Sequence, residues 1–404
     1  MRAPLTQYAI YIAGAAAVLV LLRDPNMASA ATPNGSQFQI NTYTTNAQYR
    51  PSIASDSAGN FVVVWDSGGS GGSDTDGRSV QGQRYDATGS AIGAQFQVNA
   101  YTAYDQVNPS VASDTAGNFV VVWESQGSAG TDTAGRSIQG QRYDASGSAI
   151  GAQFQVNTYT TNPQVVPSVA SDVAGNFVVV WLSFGSAGSD TSGNSVQGQR
   201  YDASGSAIGG QFQINTYTTN GQQLPRVASD SAGNFVVVWW SAGSAGSDTS
   251  LRSVQGQRYD ASGSPIGGEF QVNTYTTNNQ DAPQIANDAA GDFVVIWNSN
   301  GSASSDTSGT AVAGQLYEAS GAAIGGEFQV NTYTTNNQGP AAVASDSAGQ
   351  DFAVVWQSSG SSGSDTSLES VQGQRYLPEP PFVPSIGVML SLVLGLAGCR
   401  GRRA

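Results

Sequence analysis

The chain has 404 residues, with 15 basic side chains (all arginine), 29 acidic ones, no histidine and one cysteine. Charged residues make up 11% of it, against roughly 25% in an average soluble protein. Without histidine there is no Ser-His-Asp or Cys-His unit and no imidazole metal site, and one cysteine permits neither an intramolecular disulfide nor a thiolate zinc site. A net charge of −14 without lysine argues against nucleic acid as the main partner.

The first element in chain order is a signal. Arg2 precedes an apolar run from Tyr8 to Leu22, and Ala28-Ser29-Ala30 follows. A charged start, a short apolar stretch and a small-residue cleavage site predict a secretory signal peptide over residues 1–30, with a linker over 31–36.

Residues 37–376 read as one unit repeated six times. Phe-Gln-Val/Ile-Asn begins at Phe38, Phe96, Phe154, Phe212, Phe270 and Phe328, at a step of 58. The tryptophan closing Phe-Val-Val-Val-Trp falls at Trp65, Trp123, Trp181, Trp239, Trp297 and Trp356, where the extra Asp351 lengthens the last step to 59. Each repeat predicts four strands, in the first repeat Gln37 to Asn41, Pro51 to Asp56, Phe61 to Trp65 and Ser79 to Tyr85. The Phe61 strand is apolar on both faces and must be covered on both sides. Four-stranded sheets packed face to face about an axis do this, so the fold class expected is all-β, a six-bladed β-propeller. The array starts with a lone Phe38-type strand and ends at Tyr376, so strand 37–41 is expected to complete the last blade and close the ring.

The C-terminal segment, 377–404, holds Pro378-Glu379-Pro380, an uncharged stretch over 382–399 and an Arg-rich tail. An apolar stretch of this length is near the lower limit for a transmembrane helix, and the arginines favour a cytoplasmic end. The layout resembles the PEP-CTERM sorting signal of exported bacterial proteins. That resemblance implies recognition by an exosortase-type enzyme at Pro378, Glu379 and Pro380, transient membrane insertion, and delivery to the cell surface or extracellular matrix. The central repeats resemble FVVVW/GQRYD tandem repeats of bacterial surface proteins. The turn Ser-Asp-Ser-Ala-Gly-Asn-Phe is similar to the Asp-box of sialidase propellers, but its spacing differs and the Thr is missing, so no catalytic residue is carried over.

Candidate chemistry falls on the face bearing the long loops. The residue after each tryptophan varies: Asp66, Glu124, Leu182, Trp240, Asn298 and Gln357. Val165, Val166, Leu182, Phe184, Leu224 and Trp240 gather on blades three and four as a candidate binding patch. Asp74 and Asp76 form the one close acidic pair, a weak calcium candidate beside the turn-capping role expected of such residues; otherwise no cofactor is expected. The recurrent Asp56, Asp114, Asp172, Asp230, Asp288 and Asp346 read as turn caps, and Arg84, Arg142, Arg200, Arg258 and Arg375 as packed stems with heads on nearby acids. Asp66, Glu124 and Asp105 are the acids that break the repeat. From these features the expected function is a non-enzymatic structural or adhesive protein of the surface or matrix, with a polysaccharide or surface protein as partner. The alternatives are a carbohydrate-binding propeller and a carboxylate-based glycan-processing enzyme.

Overall fold

The structure, a computed structural model, describes residues 37–376 except 129, 134, 187, 245, 302–305, 307, 346–350 and 361–367. The signal peptide, the linker and the sorting segment predicted at the two ends lie outside the described residues, as do Asp346 and Asp365. The chain divides after Ile40, and all the strands belong to the unit that begins at Asn41. No helix among the described residues is long and apolar enough to cross a membrane.

The fold is all-β, a six-bladed propeller. The first blade orders its strands β1 (Gln48–Ser55), β2 (Phe61–Gly68), β3 (Arg78–Tyr85) and β4 (Ala91–Gln97) as one antiparallel sheet. Four more blades repeat it, and the sixth has three strands: β21 (Gln338–Ser345), β22 (Phe352–Ser359) and β23 (Glu369–Tyr376). The first strand of each blade is axial. β1 packs on β5 (Gln106–Ser113), β5 on β9 (Gln164–Ser171), β9 on β13 (Gln222–Ser229), β13 on β17 (Gln280–Asn287), and β17 on β21.

The second strand of a blade explains this arrangement. Val62 and Val64 of blade one pack against Val111, Phe119, Val121 and Trp123 of blade two. The opposite face of blade two's strand, Val120 and Val122, packs on Val169, Phe177, Val179 and Trp181 of blade three. Five such clusters join the six blades, one at each successive junction. Burying one valine side chain this way contributes about 1.5–3 kcal/mol, and no blade can gain it alone. Polar contacts repeat across the same junctions. Arg84, Arg142, Arg200 and Arg258 donate to the backbone carbonyls of the next blade's turn, such as Ala145 and Ser146 for Arg84. Their heads therefore staple neighbouring blades through carbonyls, while the charges of Arg84, Arg142 and Arg200 help lower the nearby Asp144, Asp202 and Asp260.

One expectation differs from the structure. The outermost strand runs Ala91–Gln97, so Ala-Ile-Gly-Ala forms its first half and Phe-Gln only its end. Residues 37–41 carry no strand assignment, and the sixth sheet holds three strands. The last blade also has an uncovered face. Val355 is 47% exposed, whereas its counterparts Val64, Val122, Val180, Val238 and Ile296 are fully buried. No packing of comparable extent joins β21 to β1, and Ile53 is 64% exposed where Val111, Val169 and Val227 are buried. Arg375 pairs at 2.6 Å with Asp351 of its own blade. Gly82 shows what the missing strand does elsewhere. A Cβ there would lie 2.6 Å from the Phe96 ring, whereas at Gly373 it would make an ordinary contact with Val355.

Val238→Ala is expected to cost about 2–3 kcal/mol of unfolding free energy, and Val355→Ala less than about 0.5. Urea denaturation checks this pair; equal losses would mean that the sixth blade is covered.

Candidate functional site

The mouth of the propeller is built by a bulge in every axial strand. The ladder between β1 and β2 slips between Tyr49 and Ser52, and the same slip recurs in the following blades. At the slip Arg50, Asn108, Val166, Leu224 and Ala282 take φ between +50° and +54°, each before a proline. Left-handed backbone at non-glycine residues costs on the order of 1–3 kcal/mol, most for a β-branched residue such as Val166. The slip aims a backbone N–H at the side chain that follows the tryptophan in the preceding blade. Val166 N donates to Glu124 Oε2 at 3.2 Å, and the Asn108 N–H supports Asp66 in the same way.

Two neighbouring blades thus present paired carboxylates at equivalent positions. Asp66 is fully buried between Arg50 (3.4 Å) and Arg78 (3.3 Å). Burial raises its carboxyl above the ordinary 3.8, against the lowering pull of the two arginines. Glu124, also buried, accepts from Arg136 at Oε1, and from Asn108 Nδ2 (2.9 Å) and Val166 N at Oε2. Two flat cationic stacks stand at the same rim. Arg78 lies 4.4 Å over the Tyr49 ring, and Arg252 lies 4.3 Å over the Trp240 ring while pairing with Asp281 of the next blade at 2.8 Å. Asn298 breaks the series. Its Oδ1 is buried with no hydrogen-bond partner, because the donor position in the next blade is Pro340, which has no N–H.

Burial differs among the residues of the candidate patch. Val165 and Leu182 face each other across strands and are buried, and Trp240 is buried beneath Arg252. Val166 and Leu224 are half-buried at their bulges, and Phe184 alone is an exposed apolar side chain. Asp74 is buried, with Oδ2 accepting from Asn99 and Oδ1 from the Asp76 N–H, while Asp76 Oδ2 accepts from Tyr104 N. Asp132, Asp190, Asp248 and Asp306 repeat the Asn contact, so these acids pin the long loop to the outer strand. No group of three or more potential metal ligands converges among the described residues. Asp105 likewise holds a loop, through Arg78 N at 3.0 Å. Asp56, Asp114, Asp172 and Asp230 cap their turns through two backbone N–H groups and an Asn side chain.

No family model matches the chain, and no curated sequence does. Solved structures do resemble it. An α-L-arabinofuranosidase of Fusarium graminearum aligns with a TM-score of 0.53 at 10% identity, over 82% of this chain and 93% of that one. A protein of unknown function from Dyadobacter fermentans gives 0.51 at 9%, over 82% and 94%. The leech intramolecular trans-sialidase gives 0.50 at 8%, over 86% and 70%. At these identities the likeness establishes the fold. It also corrects the non-enzymatic expectation, which rested on export, the sorting tail, acidity, repetition and absent catalytic groups. A glycosidase shares this propeller fold, and glycoside hydrolysis needs carboxylates and no imidazole.

The raised carboxyl of Asp66 gives a signed pH dependence. Folding takes up a proton there, so the wild-type protein should gain stability relative to Asp66→Asn as pH falls from 7, completely so below the unfolded value near 3.8. The capped turn acids Asp86, Asp144, Asp202 and Asp260 are lowered by Ser or Thr hydroxyls and act with the opposite sign, which is why the comparison is made with the variant. Thermal unfolding across pH 3–7 checks it; a constant difference between the two proteins would contradict it.

Proposed function

We propose that the protein is a glycan-processing propeller that holds a polysaccharide across its loop-bearing mouth. The carrying observation is the Asp66–Glu124 arrangement: equivalent positions on adjacent blades, each carboxylate fixed by arginine and by a backbone N–H from the next blade. Burial keeps Asp66 inclined to hold a proton, which suits a general acid, and Glu124, an acceptor of three donors, suits the base or nucleophile. The Arg78–Tyr49 and Arg252–Trp240 stacks, with the exposed Phe184 on blade three, supply flat surfaces on which sugar rings lie. The arabinofuranosidase of similar fold supports a furanose or pyranose polymer as the substrate class. The signal at 1–30 and the Pro378-Glu379-Pro380 segment support action outside the cell, after handling by an exosortase-type enzyme.

Reducing-end release from a panel of plant and bacterial polysaccharides, arabinan among them, tests the reading. At least one polymer should be cut, and Asp66→Asn or Glu124→Gln should lower the rate by about 10²–10⁴-fold. No release from any polymer, or full turnover by both variants, would overturn it.

A further inference from the structure

The axial strands carry a second break in the repeat. One residue beyond the bulge proline the blades read Ser52, Ser110, Ser168, Arg226, Gln284 and Ala342. In the first three blades the serine hydroxyl accepts the backbone N–H of the next axial strand: Val111 on Ser52 at 3.3 Å, Val169 on Ser110 at 3.2 Å, and Val227 on Ser168 at 3.3 Å. Blade four places a guanidinium where this small hydroxyl belongs. Arg226 is half-buried, and burial lowers its pKa from the ordinary arginine value. Its Nε donates to Gln284 Oε1 across the blade junction (3.2 Å) and its Nη1 to the Pro225 carbonyl (2.8 Å). Among the described residues no carboxylate lies within ion-pair distance of it, and Nη2 makes no hydrogen bond.

This is an odd use of a charge. The other mouth arginines, Arg50, Arg78, Arg136 and Arg252, all face a carboxylate. Arg226 alone of this group is held by neutral acceptors only, in a protein of net charge −14. A half-buried guanidinium with a donor to spare gains most from an anionic oxygen. Position matters as well. Arg226 follows the Leu224 bulge by two residues, and Trp240 pairs with Gln223 on the adjoining strand. It therefore lies directly below the rim described above, on the axial side.

We infer that Arg226 is a specificity residue that receives an anionic substituent, a carboxylate or sulfate, of a glycan seated at the mouth. The inference rests on the glycan reading and narrows it to acidic polysaccharides. Serine at this position serves three other blades, so Arg226→Ser restores the repeat and removes the charge with little risk to folding.

The experiment measures binding of tri-galacturonate, of its neutral methyl ester and of inorganic sulfate by calorimetry, with the whole protein and with Arg226→Ser and Arg226→Lys. The wild-type protein should prefer the acid over the ester by at least about tenfold, equivalent to about 1.4 kcal/mol. Arg226→Ser should bind both sugars equally, Arg226→Lys should keep part of the preference, and thermal stability should stay near the wild-type value. Sugar binding with no preference for the acid, or a preference that survives in Arg226→Ser, overturns the inference and leaves the glycan reading standing. Arg226-dependent binding of sulfate without binding of either sugar upholds an anion site and overturns the glycan reading instead.

Discussion

The structure depends on a strand that is apolar on both faces. Phe-Val-Val-Val-Trp cannot lie at the surface of a sheet with one wet side, so every copy demands a neighbour in front and another behind. Repetition answers this demand, because each blade presents on one face what the next requires on the other. The polar contacts follow the same logic. The arginine staples, the axial serine contacts and the ring contacts of the outer-strand phenylalanines, such as Phe96 with Tyr143 at 5.5 Å, all run from one blade to the next. Where the array ends they lapse together. Val355 is exposed, Gly373 loses its phenylalanine, and Arg375 turns back to Asp351.

The mouth inherits its geometry from this packing. Neither Asp66 nor Glu124 is held by its own blade alone, since each takes a backbone N–H from the strained bulge of the blade that follows. Buried carboxylates without such donors would be costly. The site and the blade junctions are therefore one construction, and Asn298 beside Pro340 shows the same slot with its donor removed.

Much of this was legible in the sequence. The 58-residue step and the doubly apolar strand gave six blades, and the varied residue after each tryptophan marked the rim. A further regularity was available and went unread: a glutamine seventeen residues before the first five tryptophans, whose side chain takes the indole N–H of Trp65, Trp123, Trp181 and Trp297. What local pattern cannot reveal is who covers whom. Trp240 reads as an exposed platform until Arg252 is seen lying on it. The outer strand begins at Ala-Ile-Gly, which carries a weak strand signal beside Phe-Gln, so the pattern alone sets its start too late. Arg226 stands out only when the axial positions of the six blades are aligned, three of which carry serine. The adhesive expectation rests on export, the sorting tail, acidity, repetition and absent catalytic groups, and the last of these does not exclude carboxylate chemistry.

Hydrogen–deuterium exchange, resolved strand by strand, tests directly whether burial between neighbours sets the stability of each blade. The account predicts the slowest exchange in the second strands of blades three and four, at Phe177–Phe184 and Phe235–Ala242, and much faster exchange over Phe352–Ser359 in blade six. Equal protection of all six second strands would contradict it.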